Sequence, residues 1–185
     1  MTQPVGPTAA ESDPDVITLL LAQHASVRNL LAEVESATGP ARRQVFDQLR
    51  RLLAVHETAE EVVLRPMSRQ VAGQRVVDAR NAEEQEAAEA LAELEKLDVA
   101  DPEFALRFAG FRRAVLAHAD REETEEFPAL RAHCTPQELQ DLGRRLLKAE
   151  TSAPTHPHAA VVGSPAVQRL LGPFAAMVDK VRDAL

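Results

Sequence analysis

HETAEEVVLRP (residues 56–66) and HADREETEEFP (residues 118–128) are two copies of one pattern: a histidine, acids at +4 and +5, and a proline at +10. The copies lie 62 residues apart. Each follows an apolar stretch, Leu49/Leu52/Leu53 in the first and Phe108/Phe111/Val115 in the second. On an α-helix, residues i and i+4 stand one turn apart on the same face. His56 and Glu60 therefore share a face, as do His118 and Glu122. Both pairs continue an apolar stripe, which turns them inward. Imidazoles and carboxylates at such positions are costly unless they are paired or hold a metal ion.

Two further segments carry a matching signal. His24 is followed by Val27, Leu31 and Val34, and Glu84 by Ala87, Leu91 and Leu94. In both, a residue able to hold a metal precedes apolar residues at +3, +7 and +10. The helices are delimited by their own punctuation. Ser12-Asp13-Pro14-Asp15 opens the first with capping oxygens, a proline in the first turn and an acid at the positive end of the dipole. Gly39-Pro40 closes it near Thr38. A second helix is expected from about 41 to 70, bent near Pro66, with Gly73 as a breaker. A third is expected over 74–97. Asp101-Pro102 opens a fourth, to about His133, and Thr135-Pro136 a shorter fifth, to about Ala149. Long helices with short connections specify an all-α, antiparallel up-down four-helix bundle with additional C-terminal helices. Residues 1–12 read as a loose tail, 13–150 as the bundle, and 151–164 as a proline-rich linker. Residues 165–185 read as a last helix whose apolar face (Val167, Leu170, Leu171, Phe174) docks on the bundle or a partner.

Composition agrees. The 185-residue chain is 45% hydrophobic, has no Trp or Tyr, and draws its apolar content from Ala, Leu and Val. Ala and Leu, with Glu and Arg, are strong helix formers. A net charge of −8 with no basic run argues against nucleic acid. No apolar run spans a membrane, and the N-terminal segment lacks a secretory pattern. The single Cys134 forms no internal disulfide, and no base is placed to make it a nucleophile. These features fit the cytoplasm.

His24, His56, Glu60, Glu84, His118 and Glu122 bring three imidazoles and three carboxylates into one bundle core. A donor set of nitrogen and oxygen without thiolate suits iron or manganese better than a structural zinc site. Six donors exceed what one ion needs if it must also bind substrate; shared between two ions, they leave positions open. His133 lies fifteen residues beyond His118, about 22 Å along a helix, and falls outside such a site. His156 and His158 read as linker residues.

His24, His56-x-x-x-Glu60 and His118-x-x-x-Glu122, in that order, resemble the hemerythrin-like (HHE cation-binding) family over residues 14–150. The resemblance implies a pair of non-haem irons with His24, His56 and His118 as terminal ligands and Glu60 and Glu122 as bridges. Animal hemerythrins place the second bridge five residues after its histidine, which makes Glu123 the alternative. The third helix departs from the family, which usually has one or two histidines there. Here Asn81-Ala82-Glu83-Glu84-Gln85-Glu86 has none. Glu84 has the best register, with Glu83 and Glu86 as alternatives. Exchanging imidazole for carboxylate favours Fe(III), which disfavours reversible oxygen carriage and favours turnover of a small oxidant. The first expectation is disproportionation of hydrogen peroxide. The alternatives are binding or sensing of dioxygen, nitric oxide or iron, and iron storage. The expected assembly is a monomer or homodimer.

Overall fold

A computed structural model describes residues 13–152. The expected tail (1–12), most of the linker, the last helix (165–185), and His156 and His158 lie outside the described residues. The chain forms α1 (Val16–Ser36), α2 (Gly39–Ala59), a five-residue π-helical segment (Glu60–Leu64), α3 (Arg65–Val71) and α4 (Gln74–Leu94). It continues through α5 (Pro102–Arg121), a second π segment (Glu122–Glu126), α6 (Phe127–His133) and α7 (Pro136–Ser152). There is no strand among the described residues. None of their helices is long and apolar enough to cross a membrane.

The helix starts follow the sequence punctuation at α5 and α7; at α1, Asp15 is itself the cap and Pro14 lies outside the first turn, and Gly39-Pro40, expected to close α1, forms the first turn of α2. Asp15 caps α1 by accepting from the Thr18 amide at 2.8 Å. Asp101 caps α5 by accepting from the Glu103 amide, with Pro102 in the first turn. At α7, Glu138 accepts from the Thr135 amide and hydroxyl while its own amide donates to the Thr135 hydroxyl, a reciprocal capping box. α7 runs two residues into the expected linker, and α4 stops at Leu94, three short of expectation.

The larger correction concerns the second and fourth helices. The sequence predicts a helix bent or weakened near Pro66; the structure shows a widened turn that begins at Glu60, and the same change occurs at Glu122 in the second copy. Proline has no amide hydrogen, and its ring clashes with the carbonyl four residues back. Both helices accommodate this by widening for one turn. The Arg65 amide donates to the Glu60 carbonyl, and the Phe127 amide to that of Glu122, both i→i+5. Pro66 and Pro128 then sit in the first turn of α3 and α6, where no amide hydrogen is needed.

α1 packs on α2 and α5, α4 on α5, and α3 on α4 and α6. Two apolar clusters result. One joins Val27, Leu31, Phe46, Leu49, Leu91, Phe104, Phe108 and Phe111. The other joins Ile17, Leu20, Val63, Leu64, Phe127 and Leu130 to Leu139, Leu142 and Leu146 of α7. α7 thus closes one end of the bundle. Gly143 of α7 lets it press on the start of α1: a Cβ there would meet the Pro14 carbonyl oxygen at 2.5 Å. Along the helices, His24, His56 and His118 each fall between a residue of one cluster and a residue of the other, so a polar layer separates two apolar plugs.

Candidate metal centre

α1 supplies His24, α2 supplies His56, and Glu60 opens the first π segment; α4 supplies Glu84, α5 supplies His118, and Glu122 opens the second π segment. All six are at most 5% exposed. Two overlapping groups form. His24, His56, Glu60 and Glu122 have ligand atoms within 4.8 Å of one another, and so do Glu57, Glu60, Glu84 and His118. Glu60 belongs to both. Glu122 faces both, with Oε2 at 3.3 Å from His24 Nε2 and Oε1 at 3.3 Å from His118 Nε2. One side is rich in imidazole and the other in carboxylate.

Each histidine is held from behind by its other nitrogen. His24 Nδ1 lies 2.8 Å from Glu123 Oε1, His56 Nδ1 2.7 Å from Gln23 Oε1, and His118 Nδ1 3.1 Å from Glu83 Oε2. When Nδ1–H donates to these oxygens, Nε2 presents its lone pair to the carboxylates, the arrangement expected of metal-binding imidazoles. Phe127 stacks on His24 at 5.6 Å, and the His24 and His56 rings meet edge to face at 5.1 Å.

Of the remaining sequence candidates, Glu123 and Glu83 stand behind histidines and outside both groups, and Glu86 is exposed on the outer face of α4. His133 is exposed and bonds the Ala129 carbonyl. Cys134 belongs to neither group.

Two residues in the centre went unread in the sequence. Glu57 is buried and joins the carboxylate-rich group. Its signal was available, since it precedes Glu60 by three and so shares its face. Arg65 is 1% exposed. Its Nη2 contacts Glu84, Glu122 Oε1 at 2.7 Å and Glu60 Oε2 at 3.5 Å, while Nη1 donates to both oxygens of Glu126 at 2.8 Å.

The electrostatics follow from burial. Burial, with His24 alongside, lowers His56 to about 3, which leaves a neutral imidazole. Burial, with Glu84 nearby, pushes Glu57 up to about 8. Burial likewise raises Glu60, with Glu122 adding to it, and Glu84. Burial opposes charge on Glu122 and His118 too, but there their mutual attraction prevails: with Arg65 beside it, Glu122 falls well below its usual range, and His118 rises well above.

The residues fit a bound cation pair. His24 Nε2, His118 Nε2, Glu57 Oε2, both oxygens of Glu60 and Glu122 Oε2 are buried without a hydrogen-bond partner. Such atoms are normally satisfied, and a cluster of them calls for an ion. When ionised, the five buried carboxyl groups (Glu57, Glu60, Glu84, Glu122, Glu126) around one buried guanidinium carry an excess of negative charge that two divalent ions would balance.

Comparison with known proteins identifies the family and the fold. The hemerythrin HHE cation binding domain family matches residues 15–130. An uncharacterized hemerythrin-like protein of Schizosaccharomyces pombe is 25% identical over 136 residues, which is 72% of this chain and 67% of the relative. The crystal structure of a hemerythrin HHE cation binding domain-containing protein of Mycobacterium kansasii superposes with a TM-score of 0.69 at 22% identity. The match covers 86% of this chain and 99% of the other, a likeness of fold.

Proposed function

Since the chain belongs to the hemerythrin HHE cation-binding family, we propose that it holds two iron ions between the helices and uses them to disproportionate hydrogen peroxide. The observation that carries this reading is the sharing of Glu60 by two adjacent donor groups, with Glu122 facing both. His24 and His56 would serve one ion, and Glu57, Glu84 and His118 the other, with Glu60 and Glu122 between them. An iron pair so held would relay two electrons from one peroxide, which leaves as dioxygen, to another, which takes up the two protons released and becomes two waters.

The chain contributes the rest. Glu123, Gln23 and Glu83 fix the tautomers of the three histidines. The two apolar clusters exclude bulk water from above and below the polar layer. The nitrogen and oxygen donors suit iron or manganese, and the carboxylate on α4 favours the ferric state over reversible oxygen carriage.

The test is metal analysis and an absorption spectrum of protein purified without added metal, followed by measurement of oxygen evolved from peroxide. About two irons per chain, near-ultraviolet bands of a bridged diferric pair, and oxygen evolution abolished by His118→Ala are the expected results. Turnover that survives His118→Ala refutes the catalytic reading. Two firmly held irons without oxygen evolution would make this a binding or sensing protein.

A further inference from the structure

The two halves of the centre are related by the sequence repeat, and two of the places where they differ are linked. His24 of α1 and Glu84 of α4 occupy matching positions, each followed by buried residues at +3, +7 and +10. Arg65 and Phe127 also match, being 62 residues apart and each directly before the proline. In one half Phe127 stacks on His24. In the other, Arg65 pairs with Glu84. An imidazole on a phenyl ring has been exchanged for a carboxylate on a guanidinium.

The guanidinium is not a bystander. Its Nη2 contacts Glu84 Oε1 and Glu122 Oε1, the same two oxygens that face His118 Nε2 at 3.8 and 3.3 Å. An ion between His118 and these carboxylates would draw on oxygens already donated to by a permanent cation. Nη1 donates to both oxygens of Glu126 while Nη2 holds Glu84 and Glu122, a two-nitrogen grip that the single ammonium of lysine cannot reproduce.

We propose that Arg65 is a resident cation on the Glu84 side, so that the two metal positions are unequal: an ion enters the His24–His56 position first and firmly, and a second enters beside His118 in competition with the guanidinium. Arg65 is thus a positioning residue that keeps the metal-free bundle folded and sets the affinity of the second ion. The inference rests on the metal-centre reading but not on peroxide chemistry.

Cobalt(II) titration of the metal-free protein, followed by calorimetry and visible absorption, tests it. Wild type is expected to bind two ions in resolved stages, the second at least about tenfold weaker. Arg65→Met is expected to tighten the second stage by roughly tenfold, leave the first within about threefold, and lower the melting temperature of the metal-free form. Should Arg65→Met fail to fold, Glu126→Gln decides, because freeing the guanidinium from its anchoring carboxylate is expected to weaken the second stage by threefold or more. Two equal stages in wild type would overturn the inference alone. So would a folded Arg65→Met whose second stage is unchanged or lost, or a Glu126→Gln that does not weaken it. No cobalt binding by any form would overturn the metal-centre reading, and this inference with it.

Discussion

Removing the carboxylate behind His24 tests whether the outer hydrogen bonds are functional. Glu123 Oε1 lies 2.8 Å from His24 Nδ1 and 2.8 Å from Arg28 Nη1, so one oxygen is held by two donors. Glu123 is 25% exposed, which lets Glu123→Ala be made without opening a core cavity. The substitution frees the His24 ring to rotate and to adopt the wrong tautomer. Loss of such a support weakens metal binding by about 10–100-fold, or roughly 1.4–2.8 kcal/mol at 1.4 kcal/mol per tenfold. Glu123→Gln retains an acceptor oxygen and should cost less, about three- to tenfold. The assay is competition for cobalt(II) against a chromophoric chelator, with circular dichroism to confirm folding. Only the tighter stage should move. Affinity unchanged within threefold in Glu123→Ala would refute the supporting role. An equal loss in both variants, beyond about a thousandfold, would instead make Glu123 a direct ligand.

Three further outcomes are expected. Glu57→Gln should reduce occupancy of the His118 side while leaving the His24–His56 side loaded, as read by bound metal per chain after gel filtration. Metal-free protein should lose stability as pH rises past neutrality. Glu57, whose pKa rises from 4.5 to about 8 on folding, binds its proton more tightly in the fold, so its contribution is present below about 4.5 and lost through about 8. His56 acts oppositely, but only between about 3 and 6.5. The decline above pH 6.5 should not exceed about 1.4 kcal/mol per pH unit for each proton released, and Glu57→Gln should make it shallower in urea denaturation. Gly143→Ala should destabilise despite alanine's helix propensity advantage of about 1 kcal/mol, because its Cβ meets the backbone of Pro14 and Val16. A cost of about 1–3 kcal/mol for the clash leaves a lower melting temperature, and an unchanged or raised one would mean that α7 shifts freely.

The repeat made the ligand-bearing faces legible because His-x-x-x-Glu is a local pattern, fixed by helical geometry alone. His24 and Glu84 were legible through the apolar residues that follow them. Arg65 was not, and the reason is geometric. At about 100° per residue, a residue five beyond Glu60 points some 140° away from it. In a π turn, residues i and i+5 stack, so Arg65 returns to the face of Glu60 and enters the centre. Gln23 carries no signal in the sequence, and Glu83 and Glu123 read there as alternative ligands rather than as supports, because their roles depend on which helix lies opposite, and a single chain does not state its neighbours.

The widened turns give each long helix two reading frames, one before the motif glutamate and one after it. Residues downstream of Glu60 face inward only because one extra residue is spent in the turn. Length is therefore more constrained here than identity. Deleting Val62, an exposed residue, would leave Arg65 four residues after Glu60, on the same face of a plain α turn, whereas inserting a residue there would swing Arg65, Ser68 and the rest of α3 about 100° around the axis. A one-residue insertion at the surface would thereby disturb the centre more than most single replacements in the core.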